Sequence, residues 1–178
     1  MLNTYFHRFD KALSKDFCEC VLRSIDWNEA QTAKVNAGKD SIIKKESRIS
    51  KLVWQDLITP IGCVLKNYLL EANTIWNYDL SYLEKAQIAQ YGAGGHYDWH
   101  IDSKAPINNV QRKLSISILL NDDFEGGGLE LESNKGENVL KSQGDIVVFP
   151  SFLHHRVIPV TDGVRYSAVT WGYGPAFR

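Results

Sequence analysis

Cysteine is scarce in this chain, and Cys18, Cys20 and Cys63 are odd in number and spread out. That fits neither a secreted disulfide framework nor a zinc-finger spacing. Cys18 and Cys20 stand two apart on an expected helix, where such side chains point apart, so they share no metal and all three read as reduced core thiols. Long hydrophobic runs are also missing. None approaches the length of a bilayer span, and Met1 to Arg8 lack the apolar stretch of a signal peptide. A soluble cytoplasmic protein without membrane contact is the expectation. Charge of one sign is lacking as well: charged residues make up 23% of the chain yet leave a net −1, so no global field draws it to a polyanion and no nucleic-acid partner is expected. Internal repeats, low-complexity tracts and domain linkers are absent from the sequence.

What is present is enough apolar side chain, 44% of 178 residues, for one well-filled core and too little chain for two full-sized domains, so residues 1–178 read as a single domain. Ser14 and Asp16 with Leu13, Phe17, Val21, Leu22 and Ile25 predict a capped amphipathic helix of about three turns. Thr59 and Pro60 predict the start of a second, with Ile61, Val64, Leu65, Tyr68 and Leu69 inward. Between them, residues 28–50 are polar, carry Lys34, Lys39, Lys44 and Lys45, and read as a solvated loop or loose hairpin around Gly38-Lys39-Asp40. From residue 80 the texture changes to short strands, at 82–91, 113–120, 128–131, 137–141, 145–149, 155–160 and 164–172. Turn signals at Asn121-Asp122, Gly126-Gly127-Gly128 and Asp162-Gly163 separate them. The expected fold is mainly β with N-terminal helices: a helical support region over residues 1–79 and a double-stranded β-helix, or jelly roll, over residues 80–178.

Within that core, His96-Tyr97-Asp98-Trp99-His100-Ile101-Asp102 is unusual. In a regular strand alternate side chains share a face, which would align two imidazoles and two carboxylates. Two imidazoles and a carboxylate with open positions suit non-haem Fe(II). A further imidazole is available from His154 or His155, at the start of a strand leading to Pro159, Gly163 and Arg165. His7 reads as an ordinary hydrogen-bonded histidine. Strand parity alone leaves open which members of the cluster are ligands.

The chain resembles the prolyl 4-hydroxylase branch of the 2-oxoglutarate/Fe(II) oxygenases over roughly residues 80–178. The resemblance is carried by Tyr91-x-x-Gly94-x-x-Tyr97-x-x-His100-x-Asp102, by Leu119-Leu120-Asn121, and by Phe124-Glu125-Gly126-Gly127 with Leu129. Gly144-Asp145 leading to Phe149-Pro150-Ser151 follows, then His155-x-Val157-x-Pro159-Val160-Thr161-x-Gly163-x-Arg165-Tyr166-Ser167, and finally Trp171. A lone His-x-Asp would be weak, but several blocks in family order are specific. The resemblance implies that His100, Asp102 and His155 hold the metal, and leaves His96, Asp98 and His154 as flanking residues. It implies Fe(II), 2-oxoglutarate and dioxygen as cofactor and co-substrates, and allows ascorbate as an accessory. Arg165, about ten positions past the second histidine, would pair with the distant carboxylate of 2-oxoglutarate, where a planar guanidinium can grip it in two places. Ser167, on the same strand face, could add a hydroxyl, and Tyr91 matches the family tyrosine that approaches the co-substrate.

Two positions depart from the pattern. Leu119-Leu120-Asn121 stands where the animal oxygen-sensing relatives have Tyr-Leu-Asn, and Arg165 stands where the collagen-modifying relatives use lysine. The resemblance implies hydroxylation of an unactivated C–H bond, with peptidyl proline as the first expected substrate and a free amino acid or other small molecule as the alternative. Tyr97, Trp99, Arg112, Trp171 and the loop 103–111 flank the ligand strands and are the expected substrate neighbours. Three rivals are weaker. A zinc hydrolase would have no use for Arg165 and Ser167. A non-catalytic metal-binding jelly roll is open because fold does not fix function. A nucleic-acid demethylase is disfavoured by the near-neutral charge.

Overall fold

The computed structural model describes residues 5–33, 35–37, 40–42, 47–103 and 105–177. Its N-terminal part runs β1 (His7–Phe9), α1 (Lys15–Ser24), a 3-10 turn (Trp27–Glu29), β2 (Gln31–Thr32), β3 (Val35–Ala37), β4 (Asp40–Ile42), β5 (Arg48–Ile49), β6 (Lys51–Gln55) and α2 (Pro60–Trp76). There follow β7 (Tyr82–Leu83), β8 (Ala86–Tyr91), β9 (His96–His100), β10 (Val110–Leu119), β11 (Phe124–Gly126) and β12 (Leu129–Leu131). After a 3-10 turn (Glu132–Asn134) come β13 (Ile146–Pro150), β14 (His155–Val157), β15 (Val160–Gly163) and β16 (Arg165–Pro175).

These strands build two facing sheets. The larger has the order β1-β13-β10-β16-β8-β6-β2, with β7 also on β16; the smaller has the order β12-β14-β9-β5. Every pairing in both is antiparallel, and β11 pairs with β15 beside them. This is the jelly-roll architecture that the strand spacing predicted. The large sheet is covered on both faces, and its side-chain alternation divides the core in two. Along β13, Ile146 and Val148 face the helices, where they meet Val21, Leu65 and Leu69. Val147 and Phe149 face the small sheet, where they meet Leu131 and Val157.

Both helices begin where the sequence puts them, because each cap supplies an oxygen to an otherwise orphaned amide. The Ser14 side chain accepts from the Phe17 N–H, and Thr59 accepts from the Gly62 N–H with Pro60 in the first turn. At the far end of α2, Asn77 adopts a left-handed conformation (φ 51°) and ends the helix. No helix among the described residues is long and apolar enough to cross a membrane.

The first 79 residues supply more than helical support. β1, β2 and β6 extend the large sheet and β5 edges the small one, while β3 and β4 pair antiparallel with each other, so the polar segment 28–50 contains the expected hairpin and contributes strands beyond it. Lys34, Gly38, Lys39, Lys44 and Lys45 lie outside the described residues. The expected strand at 137–141 does not form. Side chains take two of its amides, Asn138 accepting from the Leu140 N–H and Asp145 from that of Lys141, so that the Val139 N–H to the Leu129 carbonyl is left as an isolated strand-like bond. The expected strand at 82–91 is broken at Glu84 and Lys85. Of the three free thiols only Cys18 belongs to the core; Cys20 and Cys63 sit off the buried helix faces and are exposed.

Leu65 is fully buried between α2 and the large sheet, whereas Leu70 on the same helix is 42% exposed. Leu65→Ala is expected to cost about 2–5 kcal/mol, read as a lower urea midpoint at unchanged slope, while Leu70→Ala stays within about 0.5 kcal/mol. Equal effects at the two positions would contradict this packing.

Candidate metal centre and its cavity

Three ligand-type side chains converge on the small sheet. His100 ends β9, Asp102 lies two residues on, and His155 opens β14 directly opposite His100. Their ligand atoms all lie within 4.8 Å of one another, and they form the one such group among the described residues. His155 Nε2 is 3.4 Å from Asp102 Oδ2, and His100 Nε2 is 3.7 Å from Asp102 Oδ1.

Each imidazole is oriented by its own backbone. His100 Nδ1 lies 2.7 Å from the Asp98 carbonyl oxygen and His155 Nδ1 lies 3.0 Å from that of Leu153. A carbonyl can only accept, so Nδ1 carries a proton in both rings, and in the neutral form of each Nε2 is left with a lone pair aimed at the shared space. Burial, and then His155, push the His100 imidazole down to about 3, so it is neutral in the ordinary pH range. Burial works against an ionised Asp102, but the two imidazoles and Arg112 outweigh it and hold its carboxyl well below the usual range. His155 is raised: burial opposes its proton, and Asp102 more than compensates. A buried carboxylate beside two imidazoles is a donor set suited to a divalent cation such as Fe(II).

The clustering rests on a bulge. His155 pairs with His100 and Val157 with Tyr97, so two residues of β9, Asp98 and Trp99, face one residue of β14. Asp98 closes the irregular stretch by accepting the Trp99 N–H on its own side chain, at 2.8 Å. The extra residue shifts the alternation, and parity therefore misleads here. His100 shares its face with Tyr97, whose ring stacks on it at 3.5 Å between centroids, and not with His96 or Asp98. His96 turns back to the Gly94 carbonyl, and His154 pairs with Glu132 at the surface. Trp99, expected beside the open position, is turned outward beneath Arg156, whose guanidinium lies 4.8 Å from its ring.

Asp102 is locked from the large-sheet side. Its amide donates to the Ser151 carbonyl, and its Oδ2 accepts from Ser115 Oγ on β10 at 2.8 Å. Ser115 has spent its single proton, so the 2.9 Å contact between Ser151 and Ser115 runs from Ser151 as donor. A second bulge, in β10 between Arg112 and Leu114, turns Arg112 onto the same face as Ser115. There its guanidinium lies 3.8 Å over Trp171, donates to Glu84 at 2.6 Å and to Tyr173 at 3.0 Å, and reaches within 4.0 Å of Asp102.

The cluster opens into a cavity of about 430 Å³ between the sheets, lined also by Tyr91, Tyr97, Arg112, Arg165, Ser167 and Trp171. No described residue of the loop 103–111 lines it. Arg165 is 1% exposed and donates to Ser167 Oγ at 3.0 Å, with the Tyr91 ring 5.3 Å from its guanidinium. Burial lowers its pKa, Tyr91 partly opposing. No carboxylate among the described residues pairs with it, although a buried, unpaired guanidinium is costly. Gly127 is left-handed (φ 60°), and a Cβ there would stand 3.0 Å from Arg165 Cδ, so the glycine keeps the arginine's path clear. Residues that sequence reasoning passed over are Ser115, Gln87 and Arg48. Alternation through Arg48-Ile49-Ser50-Lys51-Leu52 was the signal available for the last.

Residues 86–173 match the 2OG-Fe(II) oxygenase superfamily. A PKHD-type hydroxylase of Pseudomonas fluorescens is 38% identical over 160 residues, which covers 85% of this chain and 69% of that protein. One from Synechococcus is 37% identical over 90 residues, 47% of this chain and only 40% of its own length. Among solved structures, a Pseudomonas putida prolyl-4-hydroxylase superposes with a TM-score of 0.73 at 21% identity, covering 99% of this chain and 95% of its own. A Trichoplax adhaerens prolyl hydroxylase, solved with a peptide fragment of hypoxia inducible factor, gives 0.68 at 19%, covering 96% and 84%. At those identities the structural likeness is one of fold.

Substituting His100, Asp102 or His155 by alanine is expected to abolish stoichiometric Fe(II) binding, measured by metal analysis after anaerobic dialysis. His96→Ala is expected to retain it. Ser115→Ala, which frees the Asp102 carboxylate, should weaken iron affinity by roughly 10–100-fold. Full iron affinity in any of the three ligand variants would show that the metal sits elsewhere.

Proposed function

Because the chain belongs to the 2OG-Fe(II) oxygenase superfamily, we propose that it is an Fe(II)- and 2-oxoglutarate-dependent dioxygenase that hydroxylates an unactivated C–H bond, a prolyl ring being the first candidate. His100, Asp102 and His155 hold the iron in this reading. When bound, Fe(II) supplies the redox chemistry that couples decarboxylation of 2-oxoglutarate to hydroxylation. The protein's own work is to orient and to exclude.

Arg165 carries the proposal. It is a permanent cation with no acidic partner among the described residues, and it shares a cavity with a three-donor metal cluster. A dicarboxylic keto acid answers both ends, one by chelation and the other by a charge-assisted pair with Arg165, joined by the Ser167 hydroxyl. Tyr91 would flank its carbon chain. A zinc hydrolase would leave this buried charge unexplained. Leu119, where a tyrosine contact occurs in some relatives, is 2% exposed in the apolar core between the sheets, so Arg165 and Ser167 take the far carboxylate without it.

Tyr97, Arg112 and Trp171 line the same space and are the proposed walls for substrate. Ascorbate would serve only to restore Fe(II) after uncoupled turnover. The similar proteins named for prolyl hydroxylation, one of them seen with a peptide, favour a prolyl target.

Anaerobic titration of the iron-loaded protein with 2-oxoglutarate is expected to produce the weak visible charge-transfer band of the chelate. Arg165→Ala is expected to raise the co-substrate concentration needed at least tenfold while iron stays bound. No band in iron-loaded wild type would end the oxygenase reading, and an unchanged titration in Arg165→Ala would end that residue's role.

A further inference from the structure

Among the described residues, five side chains of fixed charge line the cavity: Arg48, Arg112 and Arg165 against Glu84 and Asp102. Bound Fe(II) and the 2-oxoglutarate dianion would cancel each other, so the cavity keeps one positive charge in excess. Arg112 is matched by Glu84 at 2.6 Å, and Arg165 is matched by the co-substrate in the proposed function, on which this inference rests. The excess is Arg48.

Arg48 is 8% exposed, and among the described residues neutral groups alone hold it. Its Nε donates to Ser50 Oγ at 2.9 Å, its Nη2 donates to Gln87 Oε1 at 3.1 Å, and its guanidinium lies 4.4 Å over the Tyr97 ring. No carboxylate pairs with it among the described residues, and its Nη1 meets no acceptor there. An aromatic face returns a kcal/mol or two, less than a buried charge loses by leaving water. Ser50 and Gln87 instead fix the fork in place, which costs rotamer freedom that only a ligand would repay.

The position of the fork limits what that ligand can be. Tyr97 stacks on His100 and also packs against Arg48, so the guanidinium and a proposed iron ligand share one aromatic neighbour. An anion bound at Arg48 is therefore only a few bonds from a carbon placed at the metal. We infer that Arg48, oriented by Ser50 and Gln87, anchors the free α-carboxylate of the substrate, which is an amino or imino acid, free or at a chain end, rather than an internal residue of a peptide.

The test uses protein loaded with Fe(II) and 2-oxoglutarate under argon, with heats of binding as the readout and no turnover. The probes are L-proline and N-acetyl-L-proline, each against its primary amide; the acetylated pair separates a chain-terminal from a free residue. At least one acid is expected to bind tenfold or more tightly than its amide. Arg48→Gln should remove that preference while 2-oxoglutarate affinity stays within twofold, and Arg48→Lys should keep part of it. Equal binding of acid and amide to the wild type, or no binding of either acid, overturns the inference without any variant. A loss of 2-oxoglutarate affinity in Arg48→Gln overturns it too, by giving the residue to the co-substrate. Failure of the oxygenase reading would register separately, as the missing charge-transfer band in wild type.

Discussion

The antiparallel pairing of β9 with β14 is the constraint on which the site depends. It sets His155 opposite His100, and the extra residue in β9 decides which other side chains share their face. Without the bulge, alternation would place His96 and Asp98 beside His100 and carry Tyr97 to the outer side. With it, the Asp98 carbonyl orients the His100 ring, and the tyrosine packs against both that ring and Arg48. One irregularity in backbone pairing therefore selects the ligands, their tautomer and their neighbours together.

The electrostatics follow the same economy of parts. Asp102 stays ionised because His155, His100 and Arg112 favour its charge, although burial alone would neutralise it, and the Ser115 hydroxyl donates to it as well. Arg112 is kept charged by Asp102 and Glu84 against its own burial. These charges are balanced within the protein. Arg165 and Arg48 are not, and an unbalanced charge in a packed interior marks a place where the protein alone is incomplete.

Much of this was legible from residue order. Caps at Ser14 and Thr59 mark both helices because capping is local chemistry, and the glycine-punctuated apolar runs mark the sheets. The spacing of His100, Asp102, His155 and Arg165 is legible through family pattern, since no local rule links residues 50 or more positions apart. What escaped is non-local or irregular. Nothing in Asp98-Trp99 announces a bulge, since neither is glycine, so Trp99 was expected at the substrate and is instead outside. Arg48 sits in a two-residue strand, and its only local signal, the alternation that runs on to Leu52, is short and lies inside a segment whose polar composition reads as loop or hairpin. The segment 137–141 has strand composition, but Asn138 and Asp145 outbid a neighbouring strand for its amides.

In the proposed function the two ends of the co-substrate would be gripped by different layers. The metal cluster belongs to the small sheet and Arg165 to the large one, and the apolar side chains between them, Leu129, Leu131, Val147, Phe149 and Val157, set the gap. That gap is a ruler for dicarboxylate chain length. A keto diacid one carbon shorter or longer would have to give up the guanidinium, strain its chelate, or prise the layers apart against close-packed interior contacts. Selectivity among such acids is thus written in the thickness of the hydrophobic core as much as in the polar residues that touch the ligand.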